Sequence, residues 1–422
     1  MDLLIKNAHV VSPADGLDAA ADILVRDGRI AQIGTDLSAD GAVLDASGLT
    51  AVPGFVDMHV HLRDPGQTAK EDILTGCNAA AAGGVTSLLC MPNTVPTVDN
   101  PETVQYIINK AKNANARVYV AASITKGLKS KEPTDLQALR DAGAVGLSND
   151  GRPVENTKLL RDAMRLAPKL GMRVVAHCED LFLADGGKLN EGAVSAALGV
   201  KGIPAAAEDC GTAREIALAA AENVPIHICH VSTKTSVALV RDAKRRGVQV
   251  TAETAPHYFS LTEQALLQRD ADYRMNPPLR TEADVAAIIE GLTDGTLDCI
   301  ATDHAPHTVE EKSDFEKAPN GSVGMETSFA VGNTYLVKTG VLTLGQLVEK
   351  MSVNPARLLG IQAGTLSAGA PADIVLIDTD EQWTVDADRL HGKSKNTPFK
   401  GMTLTGKVKR TLLGGKTVFI DN

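Results

Sequence analysis

The sequence predicts an α/β fold: a (β/α)8 barrel of TIM type, with a small flanking β-sandwich formed by both chain ends. Three observations carry this. Short β-rich runs alternate with helical stretches through residues 52–363, the pattern of parallel βα units. The runs number eight, the count that closes a barrel. Both ends of the chain instead hold short alternating strands with turn signals, so residues 1–51 and 364–422 are expected to form the two parts of one small domain.

In order, the barrel strands fall at 55–61, 85–91, 117–123, 144–148, 173–177, 225–230, 248–253 and 298–302. Between them, 154–170 places Leu159, Leu160, Ala163, Met164 and Ala167 at helical spacing, and 208–223 and 233–246 read the same way. Gly83, Gly84, Gly143, Gly171 and Gly247 stand where helices should stop before the next strand. At the ends, 3–11, 22–25 and 29–34 pair with 373–378, 407–413 and 416–420, because neither set alone makes a stable sheet. Residues 388–402 are expected as that domain's long loop. Residues 305–323, polar and aperiodic beyond the eighth strand, have the length and position of a lid.

Composition narrows the function classes. With 44% apolar and 22% charged residues in 422, the chain is neither disordered nor fibrous. No apolar run approaches the roughly 18 residues that span a bilayer, and Met1-Asp-Leu-Leu-Ile-Lys lacks a signal-peptide pattern, so a cytoplasmic protein without a membrane partner is expected. The six cysteines are scattered and read as reduced, buried residues. A formal charge of −10 with dispersed basic residues argues against a nucleic-acid partner. An anionic substrate would need a locally positive site, which divalent metals and an arginine provide.

The chemistry-bearing residues lie at strand ends, where a barrel of this type places its site. His59-Val-His61 ends the first strand, and residues two apart on a strand share a face. The other ends deliver Asn93, Asp150, His177, His230 and Asp303. Four imidazoles and two carboxylates exceed the needs of one tetrahedral ion, so two metals are expected. His59, His61 and Asp303 would hold one, His177 and His230 the other, with Asp150 and a hydroxide shared. Asp303 could serve as general base in metal-assisted amide hydrolysis, which run backwards is ring closure. Nitrogen and oxygen donors leave zinc, manganese, cobalt and iron open.

On the substrate side, Arg63 with Asn93 suits a carboxylate, and His307 offers a third donor. Asn276 presents both donor and acceptor to an amide ring edge. His9 and His391 belong to the small domain, His227 is mid-strand, His257 lines the mouth without being a ligand, and His304 supports Asp303 from behind. Cys178 and Cys229 neighbour metal histidines but point the other way along their strands.

Taken together, Pro53-Gly-Phe-Val-Asp-Met-His59-Val-His61-Leu-Arg63-Asp-Pro-Gly66, Met91-Pro-Asn93-Thr, Asp150-Gly, His177-Cys-Glu-Asp180, His230-Val-Ser-Thr, Glu253-Thr-Ala-Pro-His257, Asn276-Pro-Pro-Leu-Arg280 and Ala301-Thr-Asp303-His-Ala-Pro-His307 resemble the class I dihydroorotases of the amidohydrolase superfamily, end to end. The resemblance implies zinc-dependent, reversible interconversion of N-carbamoyl-L-aspartate and L-dihydroorotate in pyrimidine biosynthesis, with two zinc ions per chain. It carries Arg63, Asn93 and His307 over as ligands of the substrate carboxylate, with His61 close by, and Asn276 and the lid backbone at Asn320 and Gly321 as ring contacts. Relatives acting on hydantoins and dihydropyrimidines bridge their metals with a carboxylated lysine, whereas the fourth strand here ends Leu147-Ser-Asn-Asp150-Gly. Two positions depart from the family pattern: Asn149 stands where a second acid is common, and Asn320 where an aromatic is. The resemblance leaves room for a homo-oligomer and for an aspartate carbamoyltransferase partner.

Overall fold

Residues 2–421 are described by a computed structural model. Eight parallel strands, Phe55–Val60, Val85–Cys90, Arg117–Ser123, Ala144–Ser148, Arg173–Ala176, Ile226–Ile228, Val250–Thr254 and Cys299–Ile300, neighbour one another in sequence order. The ring closes where Val60 bridges His304 and the His61 N–H reaches the His304 carbonyl at 2.8 Å. The first two strands are buried along their whole length, as strands covered on both faces must be. Met58, Leu89, Met91, Ala121, Val175, Cys229, Cys299 and Ala301 form one apolar cluster drawn from five of the strands and from residues just past the second, sixth and eighth.

Helices follow each strand because the sequence caps them. Asp72 caps Ile73–Ala82, Asn100 caps Pro101–Lys110, and Thr233 caps Lys234–Arg245. The helix expected from 154 begins only at Thr157, because the Asn156 side chain accepts the Lys158 and Leu159 N–H groups, and it ends in a 3-10 turn closed by Gly171. An unforeseen insertion, residues 181–203, precedes helix Ala205–Glu222. It holds two short helices and the two-residue ladder Leu189–Asn190 with Gly202–Ile203.

The chain ends share one eight-stranded sheet with its own apolar core, including Ile5, Ile23, Ile30, Ile374 and Leu412. The ends join where Thr50–Pro53 lies between Leu3–Ser12 and Ile374–Thr384. The expected boundary at 51/52 thus falls inside this strand, and the barrel strand starts at Phe55.

Two loops reach over the strand ends. Residues 305–323 are organised by Lys312, whose buried ammonium donates to the carbonyls of Arg274, Pro319 and Gly321 at 3.3, 3.1 and 2.9 Å. Phe315 and Ala318 of this loop pack with Leu189 and Val194 of the insertion. Residues 388–402 do not stay with the small sheet: Ser394 bonds Lys70, and Asn396 bonds His307. Among the described residues no helix is long and apolar enough to cross a membrane.

Candidate active site

The structure brings His59, His61, Asp150, His177, His230 and Asp303 together at the carboxyl ends of five strands, all buried. Asp150 is central: its Oδ1 lies 3.2 Å from His59 Nε2, 3.6 Å from His230 Nε2 and 3.7 Å from His177 Nδ1, and its Oδ2 lies 3.5 Å from His61 Nε2. Asp303 Oδ1 is 3.1 Å from His61 Nε2 and 3.7 Å from His59 Nε2. Two clusters of candidate metal ligands share Asp150: one with His59 and His61, the other with His177 and His230.

The donor set fits a cation. Asp150 Oδ1 and His59 Nε2 are buried without a hydrogen-bond partner, a costly arrangement that a metal ion relieves. Burial pushes the Asp150 carboxyl up, but the His59 and His61 charges and the close approach of the His230 and His59 rings outweigh it and hold it well below the usual range. Asp303 is likewise drawn down to about 2, burial being overcome by the His61 hydrogen bond and surrounding imidazoles. Both carboxylates therefore stay ionised at neutral pH and available as ligands.

Local backbone geometry aims these groups. Arg63, His230 and Asp303 have φ of 57°, 36° and 48°, a left-handed region that L side chains enter at a cost of roughly 1–3 kcal/mol. Asp57 holds the floor in place, its Oδ1 accepting the His59 and Thr302 N–H groups and its Oδ2 the Thr302 hydroxyl. Burial raises its pKa to about 6 against those bonds.

Several supporting residues escaped the sequence reading. Glu253, fully buried on the seventh strand, places Oε1 3.3 Å from His59 Nδ1 and Oε2 3.1 Å from His227 Nε2. Its pKa falls to about 2, the His227 and His59 contacts overcoming burial. A carboxylate behind a ligand imidazole fixes its orientation and tautomer. Glu179 does the same for His177, at 3.2 Å from Nε2, which leaves Nδ1 facing the cluster. The available signal was position: both acids lie in quoted motifs at strand ends. His227, in mid-strand, is the second partner of Glu253. Burial pushes the Cys229 thiol up to about 12, so it stays protonated beside His59. His257 is buried at the mouth, and burial lowers its pKa to about 4. His304 accepts the Gly324 N–H through Nδ1.

On the substrate side Arg63 is buried, its Nε donating to the Pro306 carbonyl at 3.2 Å and its Nη2 lying 3.3 Å from His307 Nε2. His307 Nε2 is also 3.0 Å from the Asn320 carbonyl oxygen. Burial, with the Arg63 and Lys70 charges, lowers His307 to about 3, so the ring is neutral. The Asn320 side chain accepts from Arg274 Nη2 at 3.1 Å. Asn149 spends its amide on Ile124, Thr125 and Ser123, away from the histidine and carboxylate cluster. Asn93 contacts His61 Nδ1 at 2.8 Å and donates to Asp150 Oδ2 at 3.3 Å. Asn276 donates to Glu179, and its buried Oδ1 has no partner. Gly321, by contrast, already bonds within the protein, its N–H to Arg274 and its carbonyl to Lys312 and Asn396.

A parallel barrel with a buried histidine and carboxylate cluster at its strand ends is an arrangement suited to metal-assisted hydrolysis. The chain belongs to the amidohydrolase family, whose sequence pattern matches residues 50–418. It is 51% identical to a dihydroorotase of Geobacter metallireducens, over 99% of this chain and 100% of that protein. It is equally 51% identical to a dihydroorotase of Acetivibrio thermocellus, over 99% of this chain and 98% of that one. Its fold is similar to that of an L-hydantoinase (dihydropyrimidinase) from Arthrobacter aurescens, with TM-score 0.89 and 29% identity over 99% of this chain and 96% of that one.

Proposed function

We propose that this chain is a dihydroorotase, interconverting N-carbamoyl-L-aspartate and L-dihydroorotate plus water in the biosynthesis of UMP. The observation that carries the reading is Arg63: a buried guanidinium with no carboxylate partner among the described residues, beside the ligand cluster. An unpaired buried charge is costly, and a substrate carboxylate supplies the missing counterion.

In this reading His59, His61, Asp150, His177, His230 and Asp303 would hold the zinc, His59, His61 and Asp303 on one side of Asp150 and His177 and His230 on the other. Bound there, zinc would supply a water acidified towards neutral pH and polarise the amide carbonyl. Arg63 and His307 bind the substrate carboxylate, with Asn93 setting the orientation of His61. Asn276 Oδ1 accepts a ring N–H. Asp303 takes up the proton released as water adds, and returns it to the leaving nitrogen. The likeness to a hydantoinase extends to the fold; Arg63, and Asp150 in place of a bridging lysine, favour the ring that bears a carboxylate.

A cytoplasmic location and association with a second copy or with an aspartate carbamoyltransferase complete the reading; sedimentation with and without that enzyme tests the last two. The activity itself is tested by assaying the purified, zinc-loaded chain for cyclisation of N-carbamoyl-L-aspartate. Formation of L-dihydroorotate supports the proposal, and no turnover in either direction overturns it.

A further inference from the structure

Asn396 lies 89 residues beyond His307 in the chain, yet its buried side chain uses both halves of its amide on the loop that carries this histidine. Its Oδ1 accepts the His307 N–H at 3.1 Å. Its Nδ2 donates to the carbonyls of Ala305 at 3.3 Å and Gly321 at 3.1 Å, and its own carbonyl accepts the Val323 N–H at 3.0 Å. One residue therefore ties both ends of the 305–323 loop. The loop is drawn tight there: Gly321 has φ of 140°, and a Cβ on it would lie 2.8 Å from Ala305.

The same stretch fastens the other half of the carboxylate site. The Ser394 hydroxyl donates to the Lys70 carbonyl at 2.6 Å, and the Lys393 N–H bonds the Glu71 carboxylate at 3.2 Å. Lys393 Nζ adds a bond to the Thr68 carbonyl at 2.9 Å. Residues 393–396 thus grip, from behind, the loop that follows Arg63 and the loop that bears His307. We infer that Asn396 is a positioning residue for substrate-carboxylate binding, holding His307 against Arg63 without touching the substrate. The inference rests on the carboxylate role given above to Arg63 and His307.

The test is Asn396→Asp, nearly isosteric, which keeps the acceptor for His307 but replaces both donors with an oxygen facing two carbonyls. Asn396→Ser serves if the first variant fails to fold. Steady-state kinetics on L-dihydroorotate, metal content, and amide exchange of the ligand-free protein are measured together. The expected result is a KM raised about tenfold or more, with kcat within about threefold, metal content unchanged, and exchange of residues 305–323 faster by about tenfold. A fall in kcat or metal content at unchanged KM, or exchange equal to that of the parent, overturns it. If the parent protein does not turn over L-dihydroorotate, the substrate reading fails on its own, and the exchange comparison alone decides the role of Asn396.

Discussion

Nη2 of Arg63 lies 3.3 Å from Nε2 of His307, both side chains buried, so a fixed positive charge and a neutral imidazole face one point. Charge-assisted hydrogen bonds contribute about 1.5–3 kcal/mol each. Arg63→Gln should accordingly lower kcat/KM for L-dihydroorotate about 10–100-fold, mainly through KM, and leave metal content unchanged. Steady-state kinetics with metal analysis checks this; an unaltered KM would count against the clamp.

Glu253 offers a second prediction, because its carboxylate stands behind His59 and is itself held by His227. Partners of this kind are worth about 10–100-fold in metal affinity. Glu253→Leu should show that loss in competition with a chelator, whereas Glu253→Gln, which keeps an acceptor for His59, should lose less. Equal losses in the two variants would mean that packing, not the hydrogen bond, matters here.

Metal removal should cost stability as well as activity. Six buried candidate ligands converge, and a bound ion at 100 times its Kd stabilises by about 2.7 kcal/mol. The chelator-stripped chain should melt a few degrees lower, and zinc should restore the difference. An unchanged Tm would speak against a metal at this cluster.

Lys312 sets a pH dependence. Burial lowers its pKa to about 8, with Asp272 opposing and Arg274 adding to the fall. The unfolded chain keeps that proton to about pH 10.4. Between these values the unfolded state binds more protons, so this group's contribution to stability is complete above about 10.4 and is lost as pH falls through about 8. Denaturant unfolding from pH 7.5 to 10.5 should show a rise that Lys312→Met removes. The same slope in both proteins would contradict the assignment.

Much of the site was legible because strand periodicity is a local property. His59 and His61 share a face by spacing alone, and a single rule about strand ends selects Asp150, His177, His230 and Asp303. What was not legible depends on contacts distant in sequence. Asn396 meets Ala305 across 91 residues, and Glu253 meets His59 across 194, with no periodicity to announce either. Lys312 reads as one more charge in a polar loop until three carbonyls are folded around it. The first barrel strand starts at Phe55 as expected, but the domain boundary at 51/52 cuts Thr50–Pro53 for a related reason: that strand is as buried as a barrel strand, and only its pairing with Ile374–Thr384 assigns it to the other sheet.

The central claim is that this site selects a ring carrying a carboxylate, and comparing L-dihydroorotate with 5,6-dihydrouracil tests it most directly, since the rings differ only in that group. The zinc-loaded chain should turn over L-dihydroorotate and leave dihydrouracil essentially untouched. Comparable turnover of the two would contradict the role given to Arg63 and point to a hydantoinase-like specificity.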